Sequence, residues 1–180
     1  PGTEERREGH AGLTWQVLRN RVAIGLHLGG GLTPADVRAL TLASPVRGAG
    51  QTRGRPTKLF IPANGSAHAR QTPIAPWAGE LLQHWLQVRA ELRIPGEFLF
   101  PATRTGKAWS KQSHYAATRA LLTSAGLQND EGGTFRLRHT FALRQLRRGT
   151  PPEEVAAWMG VEPAVMERYR GVASEPADVV

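Results

Sequence analysis

Three pieces decide the fold: Thr134-Phe135-Arg136-Leu137-Arg138-His139-Thr140-Phe141-Ala142-Leu143, then Gly149-Thr150-Pro151-Pro152-Glu153-Glu154-Val155-Ala156-Ala157-Trp158-Met159-Gly160, then Val165-Met166-Glu167-Arg168-Tyr169-Arg170-Gly171. Leu137 to Arg148 reads as a helix that Gly149 stops. Thr150 and Glu153 read as a capping box opening a helix from Glu153 to Met159, with acids at its start where the helix dipole favours them. A last short helix is expected over residues 163–170. Phe135 and Val161, both apolar, read most simply as core packing.

Working outward, Leu13, Val17, Leu18, Val22, Ile24 and Leu28 recur at helical spacing until Gly29-Gly30-Gly31 stops them. This glycine run lacks the Lys-Ser/Thr of a phosphate-binding loop and reads as a turn. Thr33 is a good N-cap, Pro34 a good first helical residue, and Asp36 completes an approximate capping box. From 45 to 75 the chain is rich in Gly, Pro, Thr and Arg; Lys58–Pro62 and Gln71–Ile74 read as short strands around Asn64-Gly65. Trp77, Leu81, Leu82, Trp85, Leu86 and Val88 mark an amphipathic helix over 76–92. Glu97-Phe98-Leu99-Phe100-Pro101 follows, and Ser110 caps a helix to about Gly126. Gln128–Gly133 reads as a polar loop.

These motifs, taken together over about residues 12–171, resemble the catalytic domain of the tyrosine recombinase (phage integrase) family. In that family an Arg-His pair opens a helix, a short helix ends in Gly-His, and a nucleophilic Tyr follows; Arg138, His139, Gly160 and Tyr169 match. Gly31-Leu32 and Asp36 match a turn that carries the family's first catalytic Arg, with Thr33 in the Arg position. Phe135 and Val161 stand where the family has histidines, and Gly65 falls near the place of its catalytic Lys. Lys58 is the only lysine nearby and is out of register. Tyr169 follows Val161 by eight residues, about one fewer than usual in the family, and one helical residue turns a side chain by roughly 100°.

The resemblance implies a mainly α fold with a small antiparallel sheet (α+β), residues 12–172 forming one domain. Residues 1–11 are expected to be frayed or the cut edge of a longer protein, and 173–180 to be a tail. The family's N-terminal clamping domain is absent from this stretch. The family's reaction is attack of a phenolic oxygen on a DNA phosphodiester. Charge builds on the phosphate and needs fixed cationic donors, and the leaving oxygen needs a proton. Here Arg138 is the one secure phosphate-binding candidate, with a structural hydrogen-bond network as its alternative role. Tyr169 is the candidate nucleophile and His139 a support.

Composition agrees with a polyanionic partner. The formal charge is +8 over 180 residues, and Lys58, Lys107 and Lys111 are the only lysines among 23 basic residues. Arg104, Lys107, Lys111, Arg119, Arg144, Arg147 and Arg148 are the expected contacts to double-stranded DNA. The absence of cysteine excludes disulfides and thiolate zinc sites, and the histidines show no metal-ligand spacing. No cofactor and no metal are expected. No apolar run could span a membrane, so a cytoplasmic protein acting on bacterial nucleoid DNA is expected, with a further copy or a recombinase partner engaged through the C-terminal segment. The function these residues support is DNA binding on a recombinase fold without catalysis, in DNA recombination, integration or the upkeep of a mobile element or plasmid. Two alternatives stand beside it: an active recombinase with a divergent site, and a helix-turn-helix regulator built from 153–161 and 165–169.

Overall fold

Thr14 opens the first helix, its hydroxyl accepting from the Val17 amide, and the chain runs helical as α1 (Trp15–Gly30). Gly31 ends it in the left-handed region (φ 70°). The computed structural model describes residues 14–127 and 133–173. α2 (Pro34–Ala39) starts at the expected capping box, with the Thr33 hydroxyl on the Asp36 amide and the Asp36 carboxylate on the Thr33 amide. β1 (Pro45–Val46), β2 (Lys58–Ile61) and β3 (Arg70–Pro73) form an antiparallel sheet in the order β1-β2-β3, with Leu59 opposite Thr72. α3 (Pro76–Glu91) and α4 (Lys111–Ser124, capped by Ser110) follow. α5 (Gly133–Arg147), α6 (Pro152–Met159), a 3-10 segment (Pro163–Tyr169) and α7 (Arg170–Ala173) complete the chain.

The mainly helical fold with a small antiparallel sheet is as expected. Local boundaries differ. α5 begins at Gly133 rather than Leu137, so Gly133, expected in a loop, lies in its first turn with Thr134, Phe135 and Arg136. Thr150 does not cap α6: Pro151 is the N-cap and no side chain bonds there. The expected last helix is a 3-10 segment, and Ala173 lies inside α7 rather than in a tail. Phe135 is not core packing; it is 61% exposed on the first turn of α5. The expectations for residues 1–13, 128–132 and 174–180 lie outside the described residues. Among the described residues no helix is long and apolar enough to cross a membrane.

Two separate apolar clusters hold the fold. The buried members of the larger all lie within Val22–Trp109 and include Leu26, Leu59, Leu82 and Trp85, with Trp15, Leu18 and Ala117 among the partly buried residues packed against them. The smaller gathers Phe141, Ala142, Val155, Ala156, Met159, Met166 and Tyr169. Buried arginines secure the loops around them. Arg19, under Trp109, donates to the Pro101 and Ala102 carbonyls, and Arg89 donates to those of Ile94, Gly96 and Phe98. Part of the basic charge is therefore spent inside the protein rather than on a partner.

Candidate phosphate and DNA site

Asp36, the third residue of α2, is 1% exposed and gathers three hydrogen-bond donors and a further guanidinium. One carboxylate oxygen accepts from Asn64 Nδ2 at 2.9 Å. The other accepts from the Thr33 amide at 2.8 Å and from Arg70 Nη2 at 2.6 Å, and stands 3.8 Å from Arg138 Nη1. Burial alone would raise this carboxyl; the bonds from Arg70, Asn64 and Thr33 outweigh it and hold it below the usual carboxylate range. Thr33 is thus occupied at both its amide and its hydroxyl by the cap.

Arg138 is buried, and its two terminal nitrogens are already used. Nη1 donates to the Gly31 carbonyl at 3.1 Å and Nη2 to the Met159 carbonyl at 2.7 Å, so this guanidinium closes the C-terminal ends of both α1 and α6. Its pKa is lowered by burial, with Asp36 opposing. Arg70 mirrors it from the strand side. Nε donates to the Trp158 carbonyl at 3.0 Å and Nη2 to Asp36, while Nη1 is buried and has no hydrogen-bond partner among the described residues. Sequence reasoning did not single out Arg70. The available signal was the period of two along β3: Arg70 shares a face with Thr72, and Thr72 is buried.

Tyr169 closes the other side of the second core. It is 5% exposed, its hydroxyl bonds His139 Nδ1, and the two rings meet at 56°. Burial raises the Tyr169 pKa against the influence of Arg168 and Arg138. Burial also lowers that of His139, with the same two arginines adding to the effect. Both shifts favour the neutral forms, so the imidazole accepts a hydrogen bond from the phenol and proton transfer between them is made harder. Gly160 ends α6 in the left-handed region (φ 66°), and Val161 packs partly against the second core with no polar group to offer. A cleft of about 530 Å³ opens beside Tyr169, between the end of α5 and the start of α6.

Of the expected residues, the structure brings together Thr33, Arg138, Gly160, His139 and Tyr169 around the junction of α2, α5 and α6. Gly65 sits on the exposed hairpin between β2 and β3, and Lys58 is exposed on β2. Arg104 and Lys107 stand on the loop before α4, Lys111 and Arg119 on α4, Arg144 and Arg147 on α5 and Arg148 just after it; all seven are exposed. No group of three or more His, Asp or Glu able to hold a metal exists among the described residues. The second element of the helix-turn-helix alternative is the 3-10 segment, with Met166 and Tyr169 turned inward, and does not form an exposed recognition helix.

Comparison with solved structures finds this architecture repeatedly. XerH site-specific recombinase bound to difH substrate superposes with a TM-score of 0.67 at 20% identity, covering 90% of this chain and 47% of that one. XerA recombinase gives 0.68 at 16% identity, covering 91% and 58%. The catalytic domain of bacteriophage HP1 integrase gives 0.52 at 16% identity, covering 89% and 84%. The chain thus spans about half the length of the two Xer recombinases. No curated protein matches it by sequence. The sequence profile described as the phage integrase family matches residues 15–174, nearly the whole described chain, and with the fold and the Arg138-His139, Gly160, Tyr169 arrangement this places the protein in the phage integrase family.

Proposed function

We propose that this chain is a duplex-DNA-binding domain that does not break strands, serving DNA recombination or mobile-element maintenance on bacterial nucleoid DNA. The observation that carries this reading is the state of Arg138: both terminal nitrogens bond main-chain carbonyls, so the one secure catalytic guanidinium is committed to structure. Thr33 is engaged in its cap, Phe135 and Val161 bring no donor, and Gly65 brings no proton. Removing one transition-state donor costs roughly 2.7–4 kcal/mol in comparable sites, and such losses are not additive. DNA as the partner is supported by the seven exposed basic residues named above and by relatives solved on DNA, among them XerH with difH substrate and Tn1549 transposon integrase with circular intermediate DNA.

One observation favours a second reading, an active recombinase with a rearranged site. Tyr169 and His139 are in hydrogen-bond contact, the geometry of a nucleophile with its base. One experiment separates the two. Labelled duplexes are titrated at low and moderate salt, and bound duplexes are then nicked near their centre to trap a phosphotyrosine. The expected outcome is salt-sensitive binding, through counterion release, with no protein–DNA band on a denaturing gel. A band that Tyr169→Phe abolishes would establish the active reading, and absence of binding at low salt would remove both.

A further inference from the structure

Two guanidiniums, those of Arg70 and Arg138, approach the same oxygen of Asp36, at 2.6 and 3.8 Å. One carboxylate therefore serves two formal cations in a pocket where Asp36 is 1% exposed and the Arg70 and Arg138 side chains are 9% and 10% exposed. Carbonyls of Gly31, Trp158 and Met159 satisfy other nitrogens of the pair. One buried donor is left over, Arg70 Nη1, with no partner among the described residues. A buried N–H without an acceptor is costly, and native structures rarely keep one without a use.

The orphan nitrogen is close to the surface. It lies under Gly160, an exposed residue, and a Cβ built there would stand 2.7 Å from Arg70 Cζ and 2.8 Å from Nη1. Any side chain at 160 would collide with the guanidinium. The bare glycine at the end of α6 is thus the thinnest cover over an unspent cationic donor.

We propose that Arg70 is a phosphate-anchoring residue: with Arg138 behind it, its Nη1 takes a nonbridging oxygen of one DNA backbone phosphate where the α6 C-terminal turn at Gly160 gives way. This rests on the duplex-binding reading and adds the residue that supplies the cation Thr33 lacks. The bond is charge-assisted and non-covalent, and Asp36 acts as a competing anion that holds the guanidinium in place when no phosphate is bound. Removing that competitor should therefore strengthen anion binding even as it loosens the fold, an opposite pair of effects that a purely structural triad does not produce.

The test uses Arg70→Gln, Arg70→Lys and Asp36→Asn in the full chain. Duplex affinity is measured across a salt series, with thermal melting alongside. Arg70→Gln should flatten the log K against log[salt] slope by about 0.9, the contribution of one phosphate; Arg70→Lys should keep the slope, and Asp36→Asn should bind duplex at least threefold more tightly at fixed salt. If all variants melt lower but bind with the wild-type slope and affinity, Arg70 is structural and the proposal is overturned, while the duplex-binding reading stands. Should Asp36→Asn not fold, the two Arg70 variants decide. If the wild type binds no duplex, that reading falls, and inorganic phosphate titrated while observing the Arg70 Nε–Hε resonance in nitrogen-15 spectra gives a separate answer: a saturable shift supports the anion site and a flat trace ends it.

Discussion

At the scale of single residues, contacts between distant positions decide what each side chain does. Gly31 shows this most sharply. Its φ of 70° favours glycine, and a Cβ there would meet Phe141 Cδ1 at 2.5 Å. Gly31→Ala therefore combines a strained backbone with an overpacked core, and roughly 2–5 kcal/mol of destabilisation is expected; a shift of the urea midpoint corresponding to less than 1 kcal/mol would contradict the stated packing. Arg138 and Tyr169 were legible in the sequence because their neighbours form a motif. Arg70 was not, because its partners Asp36 and Trp158 are 34 and 88 residues away. Phe135 was misread because apolar character alone does not say which side of a first helical turn faces inward.

At the scale of elements, the chain's punctuation was readable wherever a cap uses its own side chain. Thr33 and Ser110 were both identified as N-caps and both accept from the amide three residues on. α2 has only six residues and depends on that start, so Thr33→Ala should cost about 1 kcal/mol in thermal or denaturant unfolding, and Thr33→Ser should recover most of it. An equal loss in both variants would show that the methyl group, not the cap, matters. Thr150 illustrates the opposite case. The pattern Thr-Pro-Pro-Glu satisfies the sequence rule, yet the two prolines set the entry of α6 so that Pro151 occupies the cap position. The start of α5 was missed because Gly133 resembles a loop residue, and tertiary packing of α5 against α1 overrides that weak preference.

At the scale of the whole molecule, a buried imidazole pair couples stability to pH. His27 Nδ1 bonds the Leu32 carbonyl at 2.6 Å and must be the protonated nitrogen, so its Nε2 accepts from His114 Nε2 at 3.4 Å, and His114 Nδ1 accepts from Arg38 at 3.4 Å. Trp109 stacks on His114 at 4.5 Å. This chain of bonds is satisfied only when both rings are neutral. Burial lowers His27 to about 4, and burial, then His27 and Arg38, lowers His114 to about 3. Both folded values lie below the unfolded value of 6.5, so the unfolded chain takes up protons first as pH falls. Stability is then full above about pH 6.5 and is lost progressively below it, towards pH 4 and 3. Between pH 7.5 and 5.5 the loss should be about 3 kcal/mol, from roughly 1.4 kcal/mol per pH unit for each ring. His114→Phe, which keeps the stack on Trp109, should halve that slope in urea unfolding at the two pH values; an unchanged slope would place the sensitivity elsewhere. None of this was visible in the sequence, where the two histidines stand 87 residues apart with no metal-like spacing.

The two cores also differ in when they can exist. Every buried apolar residue of the larger one lies between positions 22 and 109, and every one of the smaller between 141 and 169. During synthesis at about 5–20 residues per second, the first can consolidate several seconds before the second has been made. Arg138, arriving between them, finds the Gly31 carbonyl already in place and waits for Met159 to emerge. The second core thus assembles onto a finished template, and the junction of Asp36, Arg70 and Arg138 closes only once Trp158 and Met159 have emerged.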